Sequence, residues 1–264
     1  MKGRVLIVAG SDSGGGAGIE ADIKTVTALK GYAAAAITAL TAQNTLGVSA
    51  ILPVPPDFVR RQMAAVLSDI GADCVKTGML HDAGVIAAVA DCLAEMAPTV
   101  PLVLDPVMVS TSGTRLLDEA ALALMKARLI PRATVLTPNL PEAEALLGRR
   151  IAGTEEMAAA ARELRDLGAG AVMLKGGHLA GEIVRDVVVE AEASYVLASS
   201  RIETRHTHGT GCTLASAIAT GLAQGMTLRA AIERAHDFVQ RAIAAAPGFG
   251  QGRGPLDHTH AIEG

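Results

Sequence analysis

The sequence predicts an α/β protein: a mostly parallel central sheet covered by helices on both faces, with an antiparallel edge. Three observations carry that prediction. Apolar runs of strand length alternate with helical patterns from the start to beyond residue 170. The runs are continuously apolar, as strands buried on both faces must be. After Gly177 the rhythm changes to extended runs in succession, which read as an antiparallel edge added to the parallel core. The chain has 264 residues, enough to bury a substantial core. No long Pro/Ser linker, repeat or low-complexity block interrupts it, so residues 1–264 are expected to form one domain.

In chain order, "RVLIVAG" reads as a strand ending in a Gly/Ser turn. "AGIEADIKTVTALKG" places Ile19, Ile23, Val26 and Leu29 at helical spacing, and Gly31 stops the helix. "YAAAAITAL" reads as a strand despite its alanines, "PPDFVRRQMAAVLSDIG" as a proline-started helix, and "CVKTGML" as a strand. "DAGVIAAVADCLAEM" follows as a helix. "VPLVLDPV" and "ATVLTPN" are short strands ending in proline-containing turns, with a helix near Asp118 to Leu129 between them. A helix from about Thr154 to Leu167 leads to the strand "AVMLKGG". "EIVRDVVVEA", "SYVLASSRI" and the run into His206 then read as antiparallel strands. The helices Cys212 to Gln224 and Leu228 to Ala244 follow, the second with Thr227 as its cap.

Composition narrows the function. Net charge is −4 with no basic cluster and only 2% aromatic residues, which excludes a nucleic-acid surface. No apolar run reaches the roughly 20 residues of a membrane span, and the N-terminus lacks a signal-peptide pattern, so a soluble, cytoplasmic protein is expected. Cys74, Cys92 and Cys212 form no C-x-x-C pair, which argues against a disulfide framework or a zinc site. Cys74 and Cys92 fall within strand and helix patterns as core thiols.

Polar residues gather after the strands, in "GSDSGGGAG", "TAQN", "KTGM", "DPV", "TPNLPEAE", "KGGH" and "HTHGTGC". Ligands bind at the carboxyl ends of strands in such sheets, so all seven segments are expected to face one crevice. The cluster Gly14 to Gly18 can cradle phosphate or be a plain turn. It is no Walker A loop, and "GAGIEA" meets the dinucleotide fingerprint only loosely, without the acid that should end the second strand. Asp105 stands at a buried strand's exit, where a carboxylate needs a cation or a donor. Asn139 or Pro141 can start a helix, with Glu142 and Glu144 favouring its dipole. Lys175 beside two glycines suits a phosphate. In "HTHGTGCTLASA", glycines flanking Thr210 open a helix whose free N–H groups attract an anion, and a thiol in that first turn is expected to ionise easily. His206 and His208 have the spacing of a metal pair, though a hydrogen-bonding role fits them better. His258 and His260 either cover the site or are disordered. Acids for hydrated magnesium, a lysine and backbone amides for phosphate oxygens, and a group near the acceptor together suit phosphoryl transfer.

These segments, with "AGSDSGGGAGIEADIKT", "TALTAQNTLGV", "LDPVMVSTSG", "LTPNLPEAEAL" and the tail "GRGPLDH", are similar in order to those of the bacterial hydroxymethylpyrimidine/phosphomethylpyrimidine kinases of the ribokinase-like superfamily. A third glycine in Gly14 to Gly16, and Asp257 in place of asparagine, depart from the pattern. The resemblance implies a ribokinase-like three-layer α/β/α sandwich and a homodimer. It implies transfer of phosphate from MgATP to 4-amino-5-hydroxymethyl-2-methylpyrimidine and then to its monophosphate, in thiamine biosynthesis. It implies Cys212 as the proton acceptor, with amides of Gly209 to Cys212, Gly211 among them, holding the phosphoryl group. Gln43 would bond the pyrimidine edge, with Asp22 and the amides near Ala17 forming a polar rim and Met79 and Val107 an apolar wall. Asp105 and Glu142 would hold Mg2+, while Lys175, Thr210, Asp105 and Asn139 meet the nucleotide. Pyridoxal phosphorylation, a noncatalytic sensor and a thiol redox enzyme are the competing readings.

Overall fold

The structure, a computed structural model, describes residues 2–108 and 117–262. Its strands are β1 (Arg4–Asp12), β2 (Tyr32–Asn44), β3 (Gly47–Pro53), β4 (Cys74–Thr77), β5 (Leu102–Leu104), β6 (Val135–Leu136), β7 (Val172–Leu174), β8 (Ile183–Val189) and β9 (Ser194–Ser200). They form one sheet in the order β3-β2-β1-β4-β5-β6-β7-β8-β9. The centre from β2 to β7 is parallel, while β3 pairs antiparallel with β2, β8 with β7, and β9 with β8.

The helices are α1 (Gly18–Ala28), α2 (Pro56–Asp69), α3 (Ala83–Met96), α4 (Glu119–Leu124), α5 (Leu140–Leu147), α6 (Thr154–Asp166), α7 (Thr210–Ala223) and α8 (Leu228–Ala244). β1 shows why they form two outer layers. Its side chains alternate across the sheet, so Leu6 and Val8 pack with residues of α2 to α6, and Val5, Ile7 and Ala9 with those of α1, α7 and α8. Small residues such as Ala215, Ala217 and Ala219 let α7 lie close against the sheet.

Two expectations need correction. The sheet has antiparallel pairing at both edges, because residues 47–53 form β3 against β2. That strand leaves most of its side chains exposed on the sheet's edge, so it carries no apolar alternation to read. Conversely, residues 201–206 form no strand, and the third extended run is a loop that lines the cavity described below. "TAQN" lies within β2, which runs on past its neighbours. The end of "LDPVMVSTSG" falls outside the described residues.

Candidate active site

A cavity of about 790 Å³ opens at the carboxyl ends of the parallel strands. Residues from all seven polar segments line it, including Asp12, Gln43, Met79, Asp105, Glu142, Lys175 and Cys212. The crevice expected from the strand-end rule is therefore present.

One wall is the start of α7. Its cap, Gly209, has φ 84°, and a Cβ there would overlap the Gly16 carbonyl oxygen. Only glycine allows the two loops to touch at this point. The N–H groups of Gly211 and Cys212 have no protein acceptor among the described residues, whereas that of Thr210 is 3.3 Å from Thr207 O. The Thr210 hydroxyl also donates to Thr207 O, at 2.7 Å. The dipole-oriented donors expected for an anion are those of Gly211 and Cys212.

Opposite them, Lys175 Nζ lies 3.2 Å from Asp105 Oδ1, which also accepts from Thr137 Oγ1 at 3.2 Å. Burial opposes the Lys175 ammonium, but Asp105 and Glu142 hold its pKa above the usual lysine value. Asn139 and Glu142 form a capping box: Asn139 Oδ1 accepts from Glu142 N at 2.9 Å, and Glu142 Oε2 accepts from Asn139 N at 2.8 Å. Burial pushes the Glu142 carboxyl up to about 7; Lys175 opposes the shift and Asp105 adds to it. A Cβ built on Gly211 would stand 3.3 Å from Lys175 Nζ and 3.5 Å from Asp105 Oδ2. The helix start, the lysine and the acid thus face one small volume.

Gly211→Ala tests that volume directly. Alanine is the better helix former by about 1 kcal/mol, so thermal unfolding should be unchanged or slightly raised. Its methyl group occupies the space in front of Lys175 and Asp105, so turnover should fall about a hundredfold, as when one transition-state contact is lost.

Cys212 corrects the sequence expectation about ionisation. Burial pushes its thiol up to about 12; Lys76 opposes this, Asp22 and Asp105 reinforce it, and the Gly18 amide offsets only part of it. Desolvation and two nearby acids outweigh the helix dipole. Cys74, fully buried, is likewise pushed up to about 12, and Cys92 is buried too, as expected of core thiols.

Asp22 is also misplaced by the sequence reading. It does not line the rim. Both its oxygens lie 2.8 Å from Lys76 Nζ, one also accepts from Ser216 Oγ at 2.7 Å, and both ionic side chains are fully buried. The Ala17 amide is not free for a ligand either. It donates to Asp12 Oδ2 at 2.9 Å, beside the Gly16 amide at 3.0 Å, while Gly14 N bonds Asp12 Oδ1 at 2.8 Å. The glycine cluster does cradle an anion, and the anion is the protein's own carboxylate. Burial opposes the Asp12 charge, but His208 and the amides hold its pKa below the ordinary value. Met79, Val107, Gln43 and Asn139 line the cavity as expected.

Asp12 and Lys76 were missed from sequence. A lysine within the buried run "CVKTGML", and an acid on the apolar face of α1, were the available signals. His208 is placed for hydrogen bonding, with its Nε2 2.9 Å from Asp12 Oδ2. His258 is buried, with Nε2 2.9 Å from Thr213 Oγ1, and burial pushes its pKa down to about 4.

An α/β/α sandwich whose crevice brings a helix start, a lysine and an acid together is an arrangement suited to phosphoryl transfer to a small molecule. A family profile described as phosphomethylpyrimidine kinase matches residues 12–257. The hydroxymethylpyrimidine/phosphomethylpyrimidine kinase of Rhizobium meliloti is 49% identical over 98% of both chains. A bifunctional thiamine biosynthesis protein of Geobacter sulfurreducens is 54% identical over 99% of this chain, which spans 53% of that protein. The ADP complex of Bacillus subtilis pyridoxal kinase superposes with TM-score 0.92 at 35% identity, covering all of both chains. The chain belongs to the phosphomethylpyrimidine kinase family.

Proposed function

We propose that the protein, acting as a single kinase domain, transfers the γ-phosphoryl group of ATP to the hydroxymethyl oxygen of 4-amino-5-hydroxymethyl-2-methylpyrimidine, and then phosphorylates the monophosphate to the pyrophosphate. The supporting observation is the convergence of Lys175, Asp105 and the first-turn amides of α7 on one volume beside Cys212 and Gln43. In the transfer the bond from the γ-phosphorus to the β–γ bridging oxygen breaks and a bond to the alcohol oxygen forms. Lys175 and the Gly211 and Cys212 amides neutralise the moving group. The alcohol proton leaves late and passes to the Cys212 sulfur in its ionised form, the thiol having first lost its own proton to solvent. Gln43 bonds the ring edge, Met79 and Val107 flank the ring, and Thr210 and Asn139 lie toward the nucleotide.

Asp105 and Glu142 fit a magnesium ion, because a carboxyl raised by burial, with a second acid beside it, gains from a dication, and magnesium on phosphates needs only one or two carboxylates. Bound there, it would neutralise phosphate charge. Proton and metal compete for Glu142, so Mg2+ affinity should weaken as pH falls below about 7, by up to about tenfold per unit. Glu142→Gln should flatten that dependence in calorimetric titrations of Mg2+ with a nonhydrolysable ATP analogue.

The likeness to Bacillus subtilis pyridoxal kinase favours a second reading, in which pyridoxal is also accepted. The same proposal includes a homodimer, for which the exposed Leu46 and Leu52 offer apolar surface. Phosphorus NMR of the products from the pyrimidine alcohol and excess MgATP reports one transfer, two or none. ADP release with each alcohol separates the readings, and no transfer to the pyrimidine would refute the proposal.

A further inference from the structure

His208, which the reaction above does not use, stands behind the residue that reads the substrate ring. Its Nε2 lies 2.9 Å from Asp12 Oδ2 and 2.9 Å from Gln43 Nε2. One ring nitrogen carries either a proton or a lone pair, so it cannot both donate to the carboxylate and accept from the amide. Asp12 decides between them. It takes N–H groups from Gly14, Gly16 and Ala17, and these with His208 keep it ionised, so it only accepts. Nε2 therefore bears the proton. The two ends of a glutamine amide are nearly isosteric, and the hydrogen-bond network sets which end faces the ring. An N–H faced by an amide NH2 is repelled, and one faced by the amide oxygen is satisfied. The oxygen belongs on His208, which leaves the NH2 at the other end, where no protein group among the described residues meets it.

The surroundings hold this arrangement in place. The Gln43 backbone is clamped on both sides by Ser13, whose hydroxyl donates to Gln43 O and accepts from Gln43 N, both at 2.8 Å. A register shift in the β2–β3 pairing between Ala42 and Gln43 re-aims the side chain. His208 is pinned through its own N–H to Gly254 O at 3.1 Å, and a Cβ on Gly16 would press on its ring at 2.6 Å.

We infer that His208, fixed by Asp12, is a positioning residue that locks the Gln43 amide with its NH2 toward the substrate, so that the site selects aromatic alcohols presenting a hydrogen-bond acceptor there. An unprotonated ring nitrogen satisfies this requirement; a ring N–H at that point is refused. The inference rests on the proposed pyrimidine kinase reading.

The test is a double-mutant cycle on the pyrimidine alcohol with saturating MgATP, using His208→Ala, Gln43→Ala and the pair. His208→Ala should raise KM about tenfold, the size of one lost hydrogen bond, with kcat within about twofold. In the Gln43→Ala background the same change should do almost nothing to KM, because the group it positions is gone. His208→Gln, whose amide N–H reaches in the same direction, should recover part of the affinity. Thermal unfolding shows that each variant is folded, and calorimetric binding of the pyrimidine by His208→Gln supplies the comparison if His208→Ala is not. Additive effects on KM, or a wild-type KM in His208→Ala, would overturn the inference while leaving the kinase reading intact. If the wild type neither binds nor phosphorylates the alcohol, both fall.

Discussion

Replacing Lys175 with methionine is expected to lower kcat/KM about a thousandfold, the upper end of what one preorganised charge contributes to a transition state. The ammonium sits 3.2 Å from Asp105, next to the first turn of α7, where it would face the charge of a transferring phosphoryl group. Methionine keeps the length and apolar stem of the side chain and removes only the charge and its donors. The substitution also has a stability signature. Glu142 is raised above the ordinary glutamate value in the folded protein, so its contribution to stability is fully present below about 4.5 and is lost as pH rises toward about 7. Loss of the neighbouring cation raises Glu142 further and moves that window upward. The variant should therefore unfold at a lower temperature than the wild type, with a larger gap near pH 8 than near pH 5.5, and added Mg2+ should narrow the gap. Retention of activity within about tenfold, measured by ADP release, would remove Lys175 from the phosphoryl site. Lys175→Arg should recover a part, since it restores the charge with a fork of different shape.

Much of this site could be read from the chain, for a physical reason. A parallel strand buried on both faces favours polar side chains at its end, so Asp105 after "PLVL", Lys175 after "VML" and Cys212 after a glycine turn stand out by position. The capping box of Asn139 and Glu142 was likewise written in their spacing. The errors arose where a residue's partner lies far away in sequence. Asp22 read as a rim acid because nothing local announces Lys76, 54 positions on, which takes it into the core. The glycine cluster stays ambiguous in sequence, phosphate cradle or plain turn, because its occupant, Asp12, belongs to the same turn. β3 was invisible because an edge strand that buries little leaves no apolar period. The thiol of Cys212 was misjudged because helix dipoles are local and legible, whereas desolvation depends on everything packed around the sulfur.

That last correction reshapes what Cys212 can do. With the thiol pushed up to about 12, the thiolate is a small minority at pH 7, so a proton acceptor at this position works from a minor ionised fraction. The sign follows: removing a proton from the resting site creates the active form, and the turnover number should rise with pH. At saturating MgATP, which takes the Glu142 titration out of kcat, log kcat is expected to climb by up to about one per pH unit between about 7 and 9. Cys212→Ala should lie about a hundred- to a thousandfold below the wild type and show no such climb, with pyrimidine affinity changed only modestly, because the sulfur acts on the reacting oxygen rather than on the ring. Cys212→Asp places a carboxylate beside Asp22 and Asp105, whose charges would hold its own pKa up; it should keep more activity than alanine and titrate near neutrality rather than far above it. A flat wild-type profile, parallel to that of Cys212→Ala, would mean that the proton passes straight to a phosphoryl oxygen. The sulfur would then only shape the pocket.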